Sequence, residues 1–209
     1  MNIIKTTRNA YLDIHVFKGV FIPHSETQLL IESIIAYAQD VGIYIDFCSG
    51  SGIIGLSLAK KYPHSMVYLI EKSNKAIQNI KYNAERNNIH NIKVYEKLDM
   101  IHLNKKQNIF FVSNPPYIGM LEKKYIDLTK YPDIMHQPKS GLYTKDAFGL
   151  SFYKIIASFC SKNYIRNIAL EHNSLYLSEL SNIMGKYGYS FDLFSKKSHS
   201  KKISFYQKI

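Results

Sequence analysis

The stretch FVSNPPYIG, residues 111–119, holds the side chains whose types and order most directly suggest chemistry. Its two prolines cannot donate backbone hydrogen bonds, so they end the apolar strand before them. The Asn114 side-chain oxygen and the Pro115 carbonyl oxygen could together accept both N–H hydrogens of an amide or a planar exocyclic amine. Those contacts would draw the nitrogen toward sp³ geometry and aim its lone pair at an electrophile, while Pro115 and Pro116 keep the turn rigid. The ring of Tyr117 could stack on the planar group.

The same residues could instead form a simple rigid turn, or a proline-rich ligand for a WW domain. A WW ligand is expected in a polar, disordered stretch, whereas this motif follows the apolar run IFFVS. We therefore interpret four consecutive residues as catalytic: Asn114, Pro115, Pro116 and Tyr117.

The elements that position this turn alternate along the chain. Short apolar runs rich in β-branched and aromatic residues predict strands at 42–48, 66–71, 91–96, 108–114, 165–172, 189–194 and 202–208. Apolar residues at helical spacing predict helices at 53–62, 74–88, 147–160 and 175–188. Strands separated by helices form a parallel sheet with helices on both faces, and the last strand, which has no helix before it, should be antiparallel. The predicted fold class is α/β, with a seven-stranded, mostly parallel Rossmann-like sheet and a C-terminal antiparallel strand.

The chain is expected to form one main domain. Residues 41–209 contain the predicted sheet, and residues 1–40 stand apart as an N-terminal extension. Within the domain, the irregular stretch 117–145 is too long for an ordinary loop. We expect it to be a substrate-binding insertion or lid.

The extension is predicted to contain two elements. A short hairpin is expected near 11–21, and a helix from about 25 to 40. Ser25 and Gln28 have the spacing of a capping box at the start of that helix.

Composition excludes several classes of protein. The 209 residues are 46% hydrophobic and 21% charged, which is ordinary for a globular protein. No apolar run approaches the roughly 18 to 20 residues of a membrane span, and the N-terminus lacks the apolar core of a secretory signal. Cys48 and Cys160 are far apart, and the eight histidines form no ligand pairs, so neither a metal site nor a disulfide framework is expected. A cytoplasmic protein without membrane contact is predicted.

The net charge of +11 has two interpretations. A basic surface suggests a polyanionic partner such as nucleic acid or the ribosome. Alternatively, the Lys-, Asn-, Ile- and Tyr-rich composition reflects an AT-rich genome. The densest basic cluster is SKKSHSKK at 195–202.

Carboxylates and glycines follow the first three predicted strands of the sheet. Gly50 and Gly52 come directly after the first strand, where ligands bind in doubly wound sheets and where the backbone can approach them closely. Glu71 lies 19 residues beyond Gly52, as expected of an acceptor for both ribose hydroxyls. Asp99 is placed for an adenine amino group. Any one carboxylate could be a helix cap or a solvated strand end, but Asp46, Glu71 and Asp99 together, at three consecutive strand ends, predict nucleoside binding.

Gly50, Gly52 and Gly55 also satisfy G-x-G-x-x-G, so the glycines alone leave NAD open. A carboxylate at Asp46 would repel a pyrophosphate but attract a cationic sulfonium and an α-amino group. With Asp46, the loop resembles the D-x-x-x-G-x-G motif of the class I S-adenosylmethionine-dependent methyltransferases, and the antiparallel last strand is similar to theirs. The resemblance implies S-adenosylmethionine as cofactor and S-adenosylhomocysteine as product.

The predicted cofactor site comprises the loop, the carboxylates and their neighbours: Asp46, Cys48, Gly50, Gly52, Glu71, Lys72, Asp99, Met100 and Asn114. Asn-Pro-Pro-Tyr is shared by methyltransferases that act on adenine N6, cytosine N4 and glutamine amides. The motif thus implies methyl transfer to a planar nitrogen, without a metal ion, and leaves the substrate open.

GVFIPHSETQLLIE, residues 19–32, resembles the G-x-x-x-P-R-P-E-T-E-x-L segment of the release-factor glutamine methyltransferases, the HemK type. Glu26, Thr27 and Leu30 match the pattern. Three depart from it: His24, Ser25 and Gln28. Further similar segments extend the resemblance over about residues 11–209. It implies that a glutamine side-chain nitrogen (N5) of a peptide chain release factor is methylated, with Glu26, Thr27 and Tyr117 binding the substrate.

Other departures from the family pattern weaken the assignment of the substrate more than the assignment of methyl transfer. The Glu-Pro of that family is Gln137-Pro138 here, and the Gly and Gln after its Glu-His are Asn173 and Leu175. The family usually carries a helical N-terminal domain, for which this chain leaves no room. An N6-adenine methyltransferase acting on DNA or RNA, or a binding subunit without activity, remain alternatives.

Overall fold

The computed structural model describes residues 2–9, 11–38, 41–104, 107–124, 137–192 and 202–209. The strands are β1 Ile3–Arg8, β2 Asp13–Phe17, β3 Ile43–Phe47, β4 Met66–Ile70, β5 Ile92–Tyr95, β6 Ile109–Ser113, β7 Asn167–Glu171, β8 Tyr189–Phe191 and β9 Ile203–Lys208. The described helices are α1 Ser25–Tyr37, α2 Ile53–Lys61, α3 Asn74–Arg86, α4 Met120–Lys123, α5 Lys139–Leu142, α6 Ser151–Lys162 and α7 Leu177–Lys186, with 3-10 turns at Leu98–Met100 and Ser174–Tyr176.

Strands β3 to β9 form one sheet in the order β5-β4-β3-β6-β7-β9-β8, and β1 pairs with β2 in a separate hairpin. Strand β9 is antiparallel to both of its neighbours, and the pairs formed by β3, β4, β5, β6 and β7 are parallel. This confirms the predicted fold class. The strand order reverses at β3, which lies between β4 and β6. Such a switch point opens a crevice at the carboxyl ends of the strands.

The central strands are apolar on both sides because helices cover both faces of the sheet. Tyr44 and Phe110 pack into an apolar cluster with α1, α2 and α3. Ile45 and Phe111, which alternate with them, pack into a second cluster with α6 and α7. This double burial explains why these strands read as continuous apolar runs.

The hairpin of the extension departs from its prediction. The hairpin covers residues 3–17, with Ile3 opposite Phe17, instead of lying near 11–21. Strand β1 has little buried surface, and Ile3 and Ile4 are both about two-fifths exposed. Because its residues are not alternately buried and exposed, its sequence lacks the alternation that indicates a strand.

The predicted helix of the extension begins at Ser25 as expected but ends at Tyr37. The capping box is not formed, because the N-cap residue is His24 and it makes no side-chain capping bond. The Ser25 hydroxyl donates to Glu26, and the Gln28 amide donates to Glu32.

Three asparagines on one face of α3 bind the edge of the hairpin. Asn79 accepts from the Phe17 amide and donates to the His15 carbonyl oxygen, at 2.9 and 2.7 Å. Asn83 bonds both backbone groups of His15, and Asn87 donates to the carbonyl oxygen of Asp13. Their spacing of four residues places the three asparagines on one helix face. There they form hydrogen bonds with backbone groups of β2 that are not paired with another strand.

We expect Asn79→Ala to lower the free energy of unfolding by about 2 kcal/mol, because it leaves the buried Phe17 amide without its acceptor, while the His15 carbonyl oxygen keeps its bond from Asn83. Asn79 is fully buried, whereas its neighbour Gln78 is exposed. Urea denaturation of Asn79→Ala beside Gln78→Ala tests this. Equal stabilities of the two variants would contradict the role of the asparagine face.

The predicted insertion is described only in part. Ile118 forms a bridge with Tyr143, and the short helices α4 and α5 flank residues 125–136, which lie outside the described residues. Most of the basic cluster at 195–202 also lies outside them. In the described ranges, no helix is long and apolar enough to cross a membrane, and no group of His, Cys, Asp or Glu is arranged to hold a metal ion.

Candidate active site

The loop after β3 turns sharply because alternate residues adopt left-handed conformations. Cys48, Gly50 and Gly52 have φ angles of 63°, 55° and 85°. A Cβ atom on Gly52 would lie 2.9 Å from Cγ1 of Ile80 on α3. Gly52 is therefore needed both for its backbone conformation and for the close approach of the loop to α3.

Asp46 lies beneath this loop. It is fully buried, and its Oδ2 accepts a hydrogen bond from the Gly55 amide at 2.9 Å. Its Oδ1 has no hydrogen-bond partner among the described residues. Burial, with a contribution from the charge of Glu71, raises the pKa of Asp46 to about 7 even though the Gly55 amide lowers it. An unpartnered buried carboxylate oxygen of this kind favours a nearby cation.

We expect the stability of the cofactor-free protein to fall as pH rises from about 4 to about 7. The pKa of Asp46 lies near 7 in the folded protein against an ordinary value of 3.8, so over this window the folded chain binds a proton that the unfolded chain has lost. Asp46→Asn should therefore reduce the slope of unfolding free energy against pH. Identical slopes in wild type and Asp46→Asn would contradict this.

Glu71 joins the loop to the start of α3. Its Oε2 accepts from the Gly50 amide at 2.9 Å, and its Oε1 accepts from the Ser73 amide at 2.8 Å. Each carboxylate oxygen has a second lone pair, so both could still accept a hydroxyl hydrogen. These contacts orient Glu71 at the edge of the crevice, and its binding of a ribose stays a prediction.

A cavity of about 480 Å³ opens at the carboxyl ends of β3, β4 and β6, a size typical of small-molecule sites. Eight residues of the predicted site line it: Thr27, Cys48, Gly50, Glu71, Lys72, Asp99, Asn114 and Pro116. Six others are not part of its lining: Glu26, Asp46, Gly52, Met100, Pro115 and Tyr117. Asp46 and Gly52 shape the loop from behind, and Met100 is half exposed.

Aromatic residues outside the predicted site also line the cavity. Phe21, from the segment between β2 and α1, approaches the Cα positions of both Gly50 and Gly141. Phe152 of α6 contributes a second ring. Sequence reasoning did not assign these residues, because single aromatic residues carry no spacing signal.

The Asn-Pro-Pro-Tyr turn begins where β6 ends, beside the cavity. The Ser113 hydroxyl donates to the Phe47 carbonyl oxygen at 2.6 Å, which ties the ends of β6 and β3 together. The Asn114 Nδ2 donates to the Thr27 hydroxyl at 3.2 Å, and Asn114 lines the cavity. The Oδ1 of Asn114 is therefore the end of the amide left to accept hydrogen bonds from a substrate.

Behind the turn lies a carboxyl group that sequence reasoning missed. Glu171, at the end of β7, is 3% exposed and accepts from the hydroxyls of Tyr117 and Thr27, at 3.4 and 3.5 Å. Burial, reinforced by the charge of Glu26, raises the pKa of Glu171 to about 7. Its position at a strand end is the same signal that indicated Glu71. Glu26 itself forms an ion pair with Lys202, at 3.1 Å.

Gln137 and His24, two residues that depart from the family pattern, contact each other. The Gln137 Oε1 accepts from the Ile22 amide at 2.7 Å, and its Nε2 donates to the Ile22 carbonyl oxygen at 2.9 Å. The same Nε2 lies 3.1 Å from Nε2 of His24. A carboxylate could only accept, so an amide suits a partner that presents both a donor and an acceptor. Gln137 thereby anchors the end of the insertion to the segment beside the cavity.

The chain after the turn packs against residues 147–149 too closely for a side chain. A Cβ atom on Gly149, whose φ is +75°, would clash with the carbonyl oxygen of Tyr117. A Cβ atom on Gly119 would clash with the carbonyl oxygen of Ala147. Both glycines are therefore required by the backbone that supports the turn.

A glycine loop, carboxylates at successive strand ends and an amide-bearing turn beside one cavity define the class as a methyltransferase-like α/β protein. The chain belongs to the methyltransferase small domain family, whose model matches residues 13–136. It is 32% identical over 187 residues to the release factor glutamine methyltransferase of Flavobacterium psychrophilum and 33% identical over 188 residues to that of Clostridium acetobutylicum. In both cases the match covers 85% of this chain and 64% of the relative, so the chain spans just under two-thirds of their length.

Solved structures agree on the fold. The hMettl16 catalytic domain in complex with MAT2A 3'UTR hairpin 1 has a TM-score of 0.69 at 19% identity, covering 95% of this chain and 75% of that one. M. jannaschii TYW2 in complex with AdoMet has a TM-score of 0.59 at 11% identity, covering 100% and 88%. At these identities the likeness concerns the fold alone.

Proposed function

We propose that this protein transfers a methyl group from S-adenosylmethionine to the side-chain amide nitrogen of a glutamine in a protein, a peptide chain release factor. The observation that carries the proposal is the Asn114 amide at the end of β6. Its Nδ2 is engaged by Thr27, and its Oδ1 is left for a substrate N–H beside the cavity. The names of the two relatives support the choice of glutamine and release factor.

The residues beside the cavity fit this cofactor, which supplies a methyl group on a cationic sulfonium. The unpartnered Oδ1 of buried Asp46 favours positive charge nearby. Glu71 and Asp99 would hold the nucleoside, with Cys48, Gly50 and Lys72 along its path. These residues bind and orient the donor, and none of them needs to react with it.

The turn would act on the acceptor. Asn114 Oδ1 and the Pro115 carbonyl oxygen would accept the two N–H hydrogens of the glutamine amide, which reduces the delocalisation of its lone pair. Transfer would replace one of these hydrogens with the methyl group, release S-adenosylhomocysteine and give one proton to solvent. Pro115 and Pro116 are buried, which keeps the acceptor positions fixed. Stacking of the Tyr117 ring and substrate contacts by Glu26 remain predictions. A release-factor substrate would place the protein in the cytoplasm, as its sequence predicts.

Methylation of adenine N6 in DNA or RNA is the second candidate. The turn would accept the N–H hydrogens of an adenine amine equally well, and the net charge of +11 favours a polyanion. A binding subunit without turnover is the third, and would require that cofactor binds but no acceptor is methylated.

The experiment is incubation of the purified protein with cell extract and methyl-labelled S-adenosylmethionine, followed by digestion with protease or nuclease. We expect label in a protein of release-factor size, lost on protease treatment, and no label with Asn114→Ala. Label that nuclease removes would favour the adenine reaction instead. Cofactor binding without any label would favour the binding subunit.

A further inference from the structure

Glu171 bonds directly to Tyr117 of the Asn-Pro-Pro-Tyr turn and is linked to Asn114 through Thr27. The Tyr117 hydroxyl donates to its Oε1 and the Thr27 hydroxyl donates to its Oε2. The Thr27 oxygen in turn accepts from the Asn114 Nδ2. Glu171 and Thr27 are each 3% exposed, and the Tyr153 hydroxyl donates to the Glu171 carbonyl oxygen at 2.9 Å, which fixes the end of β7.

The direction of these bonds determines the orientation of the catalytic amide. In its ionised form, Glu171 can only accept, so above its pKa the single hydroxyl hydrogen of Thr27 is committed to it. The Thr27 oxygen must then accept, and only the Nδ2 end of the Asn114 amide can donate to it. With the amide held in this way, Oδ1 is the atom available to the substrate.

We infer that Glu171 and Thr27 are positioning residues, which act through Asn114 and Tyr117 to set the orientation of the methyl-acceptor site. The inference rests on the proposed methyl transfer but not on the identity of the acceptor. It changes the role of Thr27 from the substrate contact implied by the family resemblance, because the Thr27 hydroxyl is engaged on both sides. The two bonds to Glu171 are long for O–H···O contacts, and we expect them to shorten when substrate closes the site.

Matched variants separate positioning from packing. Thr27→Val removes the hydroxyl at nearly constant volume, and Thr27→Ser keeps it. We expect kcat to fall about 10-fold or more in Thr27→Val with cofactor Kd unchanged, and Thr27→Ser to recover a rate within about threefold of wild type. Glu171→Gln should lower kcat similarly, because its NH₂ group can donate to Thr27 and so permits the opposite orientation of Asn114.

Rates are measured on whichever acceptor the wild type labels in extract, so failure of the glutamine assignment leaves this test intact. A second measurement does not need activity: the Asn114 side-chain NH₂ signal in ¹⁵N-asparagine-labelled protein, assigned by its loss in Asn114→Ala. We expect it to shift in Thr27→Val and Glu171→Gln and to stay near its wild-type position in Thr27→Ser. An unshifted signal in Thr27→Val, or equal kcat for Thr27→Val and Thr27→Ser, would overturn the inference.

Discussion

Asn114→Ala is expected to lower kcat for methyl transfer by about 100-fold or more, because it removes a fixed acceptor that acts on the nitrogen in the transition state. Cofactor affinity should stay nearly unchanged. Asn114 shares the cavity with the loop and Glu71, but its only described hydrogen bond is to Thr27, on the side of the turn. Initial rates and calorimetric titration with S-adenosylmethionine measure the two quantities separately.

Glu71→Ala is the matched control for this experiment. Glu71 bonds the Gly50 and Ser73 amides and lies far from the turn in the chain, so its loss should weaken cofactor binding first. The two variants should thus show opposite patterns of kcat and Kd. Near-full activity in Asn114→Ala would show that its side-chain oxygen has no part in the chemistry.

Gly149→Ala is expected to lower the free energy of unfolding by about 3 kcal/mol, because the added Cβ clashes with backbone and the residue has a left-handed φ. The clash falls on the carbonyl oxygen of Tyr117, so the backbone of the Asn-Pro-Pro-Tyr turn must move. The surviving folded protein should therefore also lose most of its transfer activity.

Gly185→Ala is the control substitution, at an exposed glycine. Gly185 lies on the exposed side of α7, and a Cβ atom there would meet nothing within 4 Å. That substitution should leave stability unchanged or raise it by up to about 1 kcal/mol, since alanine favours a helix. Thermal or urea unfolding measures the stability of both variants. Equal stabilities would contradict the close packing of Gly149 behind the turn.

The sheet was predictable from sequence because its strands and helices carry strong periodic signals. The runs at 42–48 and 108–114 are apolar on both faces and are followed by glycines or prolines, so both strands and their relation to the crevice followed from pattern alone. The antiparallel last strand followed from the missing helix before it. Glu71 and Asn114 were identified for the same reason, since a polar side chain at the end of a buried strand stands out.

Other features depend on tertiary contacts that leave no local pattern. The asparagines of α3 look like ordinary polar residues until β2 is placed beside them. Gln137 is separated from Ile22 by more than a hundred residues, so their pairing could not be inferred from either segment. The capping box predicted at Ser25 does not form, because the Ser25 hydroxyl bonds to Glu26 and the Gln28 amide bonds to Glu32.

The central claim is that the Asn114 turn acts on a glutamine amide of a release factor. Its most direct test is tandem mass spectrometry of release factors purified from cells with and without this protein. We expect one added methyl group on a glutamine side-chain nitrogen in cells that contain the protein, and none in cells that lack it or carry Asn114→Ala. Unmodified glutamines in all three, together with loss of methyladenine from nucleic acid in the cells lacking the protein, would contradict it.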